Sequence, residues 1–235
     1  MHNLFHTKIL TSIKSLKEVM LVINKGVDII DFKDPSYGSL SALPINEIQS
    51  CLRFIPDNQL TSATIGDIDD IEEIKKKILF FSKIEIDFIK IGFFFNKNKL
   101  RNLFNIKSLA KNKKIIAVLF ADQKPTLDII KEIKKINFDG ILIDTQNKEN
   151  GNLRDYLNNI EIERFIKFSK KKNLTIGLAG SLTFDDIDPL RKLNPDYLGF
   201  RGALCNSAKR KSDICEISLN KILSKFRPFP IQKAI

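Results

Sequence analysis

Lysines and aspartates are the reactive side chains that this chain sets at suggestive spacings. In DIIDFKDPSYGSL, Asp31 and Lys33 lie two residues apart, which on an extended strand puts both on one side. In DFIKIGFFF, Lys90 interrupts an apolar run and is followed by Gly92; an ammonium there is costly unless it is paired or functional. ILIDTQNKENG supplies Asp144 and, four residues on, Lys148. Lysines that face each other away from water lower each other's pKa, and a neutral amine can attack a carbonyl carbon. Each residue also has a plainer reading. Asp31 and Lys33 could form a structural ion pair, Lys90 could snorkel to water, and Asp144 could cap the next helix.

A second set suits an anion. GLAGSL carries Gly180 and Ser181, and GFRGAL carries Arg201 and Gly202. Backbone N–H groups in such turns hold phosphate, and a guanidinium adds charge or a bidentate contact. The competing reading of Arg201 is a pair with a neighbouring carboxylate. Ser39, Thr64 (in SATIGD) and Asp122 (in LFAD) join the phosphate- and substrate-binding candidates. Histidine contributes nothing to this repertoire, since the two in the chain are His2 and His6. A His triad, an HExxH zinc site and a His relay are therefore excluded. Cys51, Cys205 and Cys215 show neither metal-ligand spacing nor a disulfide framework, so a reduced, cytoplasmic chain without a metal is expected.

These side chains need strands to present them. Eight short, nearly continuous apolar runs occur at Lys8–Leu10, Asp28–Phe32, Thr61–Thr64, Asp87–Ile91, Ile115–Leu119, Gly140–Ile143, Thr175–Leu178 and Tyr197–Phe200. Such runs mark strands buried on both faces. Helical periods lie between them: Ile13, Leu16, Met20 and Ile23; Ile71, Ile74 and Ile78; Leu127, Ile130 and Ile133; Phe165 and Phe168. No linker divides the chain, and Pro44–Ile55 is long for a simple crossover. Eight strand–helix units in 235 residues predict a single-domain (β/α)8 TIM barrel over 1–235, with 227–235 peripheral. Six of the ten glycines follow strands, on the face where barrels bind ligands. The candidate residues then ring one mouth, with the phosphate set after strands seven and eight.

Net charge is +11, which points first to anionic partners such as nucleic acid. Only eight of the 39 basic residues are Arg, however, and the lysines are scattered over outer helix faces. No nucleic-acid partner is therefore expected. The longest apolar run, Ile115–Ala121, is far short of the ~18 residues of a membrane span, and no membrane association is expected. Outer faces of the barrel leave a homo-oligomer open.

Taken in order, DIIDFKDPSYGSL, SATIGD, DFIKIG, DTQNK, LAGS and GFRGALC resemble the (5-formylfuran-3-yl)methyl phosphate synthase family of methanofuran biosynthesis, from about Lys8 to Ile222. The resemblance implies a TIM-barrel lyase without metal or organic cofactor. It would condense two glyceraldehyde 3-phosphate molecules into a furan aldehyde bearing one phosphate, releasing one phosphate and water. It also implies a catalytic lysine at Lys33 with neighbouring Asp31, a second lysine at Lys90, and Asp144 and Lys148 after strand six. Lys33 would form a Schiff base, with Asp31 holding or activating it; Lys90 could exchange roles with it. One departure is that the family's Gly-Tyr-Ala-Asp segment reads LFAD here, so Phe120 replaces a phenol. Two alternatives stand beside this reading: another phosphate-binding Schiff-base aldolase, and a basic scaffold that binds RNA without catalysis.

Overall fold

A computed structural model describes residues 7–93 and 103–227. Eight parallel strands close in sequence order into a barrel. They are β1 (Lys8–Ile13), β2 (Ile29–Phe32), β3 (Leu60–Thr64), β4 (Phe88–Gly92), β5 (Lys114–Phe120), β6 (Gly140–Asp144), β7 (Thr175–Leu178) and β8 (Tyr197–Phe200). Around them run α1 (Leu16–Val22), α2 (Ile45–Leu52), α3 (Ile71–Phe81), α4 (Ile106–Leu109), α5 (Asp128–Lys135), α6 (Leu153–Tyr156), α7 (Asn159–Lys171), α8 (Ile187–Lys192) and α9 (Glu216–Phe226). This is the expected (β/α)8 TIM barrel, and Pro44–Ile55 is an ordinary unit whose helix is α2. Apart from Arg227, the expectation about the tail lies outside the described residues.

A period of two is hidden inside the apolar runs. In β5, Ile115, Ala117 and Leu119 pack outward against helices, whereas Ile116, Val118 and Phe120 point into the barrel. Leu10, Ile29, Leu142 and Tyr197 join that inner cluster. Tyr197 crosses the interior so closely that a Cβ at Gly177 would lie 2.2 Å from its ring, which accounts for a glycine in mid-strand. Each large side chain fully buried in this way is worth about 2 kcal/mol. Following the same parity upward reaches Ser12, Asp31, Lys33, Lys90 and Asp144. The inner face is thus apolar at the bottom and charged at the top.

Two sequence expectations change. The first helical stripe is wrong: Ile13 belongs to β1, Leu16 and Met20 are exposed, and α1 buries Glu18, Val19 and Val22 instead. An apolar spacing cannot reveal a buried carboxylate on the inner face. Asp28 and Asp87 lie just before their strands rather than within them. With Asp139 and Asp196 they form a bottom ring, accepting the backbone N–H of Ile9, Thr61, Ile115 and Ile176 respectively. These bonds satisfy donors at the starts of the odd-numbered strands.

Candidate active site

The charged top of the barrel opens into a cavity of about 470 Å³, a size suited to small ligands. Asp31, Lys33, Lys90, Asp144 and Lys148 all line it. Asp31 is fully buried and sits level with Ser12 and Ser62 on the neighbouring strands. Both serine hydroxyls donate to it, at 2.8 and 2.6 Å. Lys90 Nζ pairs with Asp31 Oδ1, the oxygen that also accepts from Ser62, at 2.5 Å. The carboxylate that was expected to hold Lys33 therefore holds Lys90. A lysine is long enough to cross to another strand, so shared sidedness at two-residue spacing does not decide partners.

Lys33 lies one residue beyond β2, where its N–H donates to Ile13 and extends the ladder. Among the described residues its Nζ has no hydrogen-bond acceptor; Asp144 Oδ2 is 3.6 Å away. Burial dominates its titration, and the charges of Lys148 and Lys90 act in the same direction. Against the pull of Asp144, they lower it from an ordinary 10.5 to about 7. Asp144 ends β6 and bonds Lys148 and the N–H of Thr145. Burial would raise its pKa, but Lys148, Lys33 and these hydrogen bonds together hold it below the usual carboxylate range. Burial also lowers Lys148, with Asp144 opposing. The result is one amine poised to lose its proton beside a carboxylate that stays charged. A neutral amine of this kind is a carbonyl nucleophile.

Gly180, Ser181 and Gly202 line the same cavity. Among the described residues, their N–H groups donate to no protein acceptor. Gly180 and Ser181 both take left-handed backbone, with φ of 103° and 52°, and a Cβ at Gly180 would press the Thr145 methyl at 3.0 Å. Successive N–H groups in such turns make a concave anion site.

The other binding candidates are differently employed. Arg201 borders the cavity, but its guanidinium makes a bidentate pair with buried Glu18 at 2.6 and 3.0 Å. Its remaining donors go to the carbonyls of Ser12, Arg210 and Ser212. With all five N–H groups committed, Arg201 has none left for a phosphate; the competing carboxylate reading describes it. Thr64 is buried and donates to the carbonyl of Leu40. Ser39 donates to Asp67, which also accepts the Leu40 N–H and so ties down the loop after β2. Asp122 accepts the N–H groups of Gln146 and Asn147 and shapes the loop that carries Lys148. These three buttress the site from outside the cavity. Phe120 is buried in the inner cluster.

Sequence reasoning missed Glu18, which read as a polar residue between the apolar positions of a helix. It also missed Arg210, which lines the cavity from the loop after β8 and stood unmarked in the basic stretch AKRKSD. Among the described residues, no three His, Cys, Asp or Glu side chains group as a metal site requires.

Solved structures share the architecture. Phosphoribosyl anthranilate isomerase from Thermus thermophilus superposes with a TM-score of 0.68 at 10% identity, covering 95% of this chain and all of that one. Sequence relatives are more specific. A chain from Methanococcus aeolicus described as (5-formylfuran-3-yl)methyl phosphate synthase is 30% identical over 230 residues, covering 92% of this chain and 98% of its own length. One of the same description from Archaeoglobus fulgidus is 29% identical over 214 residues, covering 84% and 90%. The family model described as 4-HFC-P synthase matches residues 9–223. A charged barrel mouth, relatives along nearly the whole chain and this match agree: the chain belongs to the 4-HFC-P synthase family of enzymes.

Proposed function

We propose that this enzyme condenses two molecules of glyceraldehyde 3-phosphate into (5-formylfuran-3-yl)methyl phosphate through a Schiff base on Lys33. The atoms balance with release of one phosphate and two waters. The neutral Lys33 amine attacks the aldehyde carbon of one triose and expels water. The iminium then accepts the electron pair freed when the adjacent carbon loses its proton. Through the resulting enamine the phosphate leaves the third carbon of that triose, and the enol so formed is the carbanion equivalent that makes the carbon–carbon bond to the second triose. Asp144 and Lys148 lie beside Lys33 and serve the proton transfers that the losses of water and phosphate require. Lys90 is paired with Asp31, whose carboxylate two serines hold in place, and lines the floor. The N–H groups of Gly180, Ser181 and Gly202 hold the phosphate that the product retains.

The observation that carries this reading is the contrast between the two buried lysines. Lys90 is locked in a 2.5 Å ion pair, whereas Lys33 has no hydrogen-bonded partner among the described residues and titrates near 7. Incubation of the purified protein with glyceraldehyde 3-phosphate, followed by furan absorbance and phosphate release, tests the reaction. A simple aldol adduct without a furan would overturn it. The buried Cys51 and Cys205 thiols are free, and we place the reaction in the reducing cytoplasm. No helix among the described residues is long and apolar enough to cross a membrane.

A further inference from the structure

We infer that Arg210, with Lys148 at its side, forms a second anion subsite that holds the phosphate destined to leave, and that the rim cavity beyond them is its exit. This rests on the reaction proposed above, in which two phosphorylated trioses meet in one mouth. Two dianions repel strongly at short range, so each needs its own donors. The turns after β7 and β8 supply one set. The Arg210 guanidinium, on the same loop as Gly202 but turned toward the Gly38 carbonyl, supplies another.

Arg210 and Arg201 stand nine residues apart in sequence and differ in what is left for a ligand. Arg201 has no uncommitted donor. Among the described residues, the Arg210 guanidinium donates only to the carbonyl of Gly38, at 3.4 and 3.5 Å, and forms no salt bridge. Asp144, Arg201, Asp67 and Lys148 are among the charged groups that act on it, and Asp67 is already occupied by Ser39 and the Leu40 N–H. A guanidinium so placed offers a bidentate face to an incoming phosphate.

Topography gives direction to this subsite. A second, wider cavity of about 1260 Å³ lies on the rim, between the loops after β2, β6 and β8. It shares only Lys148 and Arg210 with the inner cavity, so these two cations form the threshold between them. Lys209 and Lys211 also line this cavity, so that its four cations outnumber its two carboxylates, Asp67 and Glu149. When a proton leaves the carbon adjacent to the C–O bond, a C=C bond forms. The C–O bond breaks with both electrons passing to the phosphate oxygen. Charge grows on that oxygen where Arg210 stands, and the released phosphate moves outward along the lysines.

The test compares Arg210→Met and Arg210→Lys with the wild-type enzyme, using inorganic phosphate and the furan phosphate product as separate inhibitors. R210M is expected to weaken inhibition by inorganic phosphate roughly tenfold or more and to raise KM similarly, as loss of a charge-assisted contact does. R210K should recover part of both. Inhibition by the furan phosphate, whose phosphate sits in the β7–β8 turns, should change less than about twofold. Equal losses for both inhibitors, or no change in either, would overturn the subsite. If the wild-type enzyme forms no furan, the reaction itself fails. Calorimetric titration with inorganic phosphate then reads the subsite alone: one fewer phosphate bound per R210M chain supports it, and identical stoichiometry overturns it.

Discussion

The two ends of the barrel use the same side chain for opposite ends. At the bottom, Asp28, Asp87, Asp139 and Asp196 each precede an even-numbered strand and accept a backbone N–H from the strand before it. Those carboxylates sit at half-open positions, where the cations that also reach Asp28, Asp139 and Asp196 are screened by water and add little to the backbone donor each satisfies. At the top, Asp31 and Asp144 are buried and meet lysines. A carboxylate beside a buried amine resists loss of that amine's proton, so it sets the pH at which the amine reacts. In the proposed reaction the same residue type is a brace at one end and a regulator of reactivity at the other, and what separates the two is burial, since cations reach both ends.

The largest effect should fall at the top. Lys33→Ala is expected to lower turnover by about a thousandfold or more while leaving the melting temperature within a few degrees of wild type. It should also abolish trapping of triose phosphate by borohydride, read by peptide mass mapping. A K33A chain that still traps would move the Schiff base to another lysine and dissolve the contrast with Lys90. Glu18→Gln probes the exception to the comparison, a buried top-end carboxylate that serves structure. It leaves Arg201 buried without its charge partner, at a cost of about 3–5 kcal/mol. Chemical denaturation should show that loss, which places Glu18 with the braces despite its location.

Reactivity at the top should also follow pH. Because Lys33 is displaced downward to about 7, kcat/KM should rise with pH through about 7 and level off above it. Lys148→Met removes a neighbouring positive charge, so the rise should move to higher pH. Asp144→Asn removes the charge that opposes burial, so in its residual activity the rise should move lower. Shifts in the same direction would break the assignment. The linkage has a fixed sign: between about 7 and 10.5 the unfolded chain binds more protons at Lys33 than the folded one, so stability from this group increases with pH across that window.

Much of this arrangement is legible in the residues. The eight strands show because both of their faces are buried, which makes each a continuous apolar run. Asp31 and Lys90 show because charge within such a run is conspicuous, and Lys33 and Asp144 because each directly follows one. Partners are not legible: Asp31 pairs with Lys90 rather than Lys33 because a lysine spans the barrel and sequence distance does not limit its reach. Arg201 follows the same logic in reverse. Its position after β8 fits a phosphate ligand, yet Glu18, from the other end of the chain, takes it. Arg210 is hidden for a different reason, since in AKRKSD nothing separates a cavity-facing cation from solvated ones.

The smallest predicted effect tests the bottom ring, and Asp139 is the position at which to measure it. Its Oδ2 accepts the N–H of Ile115 at 2.7 Å and the ammonium of Lys107 at 2.5 Å. Ile115 is wholly buried at the start of β5, so Asp139→Ala leaves a strand donor without its acceptor. The expected cost is about 1–2 kcal/mol, a fall of several degrees in melting temperature for a chain of this length. Asp139→Asn keeps an acceptor for Ile115 and loses only the half-exposed charge contact with Lys107, so it should cost less than half as much. In both variants kcat/KM and its pH dependence should match wild type, because Asp139 sits a full strand length from Lys33 and Asp144. A shift of the pH profile in D139N would mean that the bottom charges reach the reactive amine through the barrel. The ends would then be coupled, and the division of labour between brace and regulator would fail.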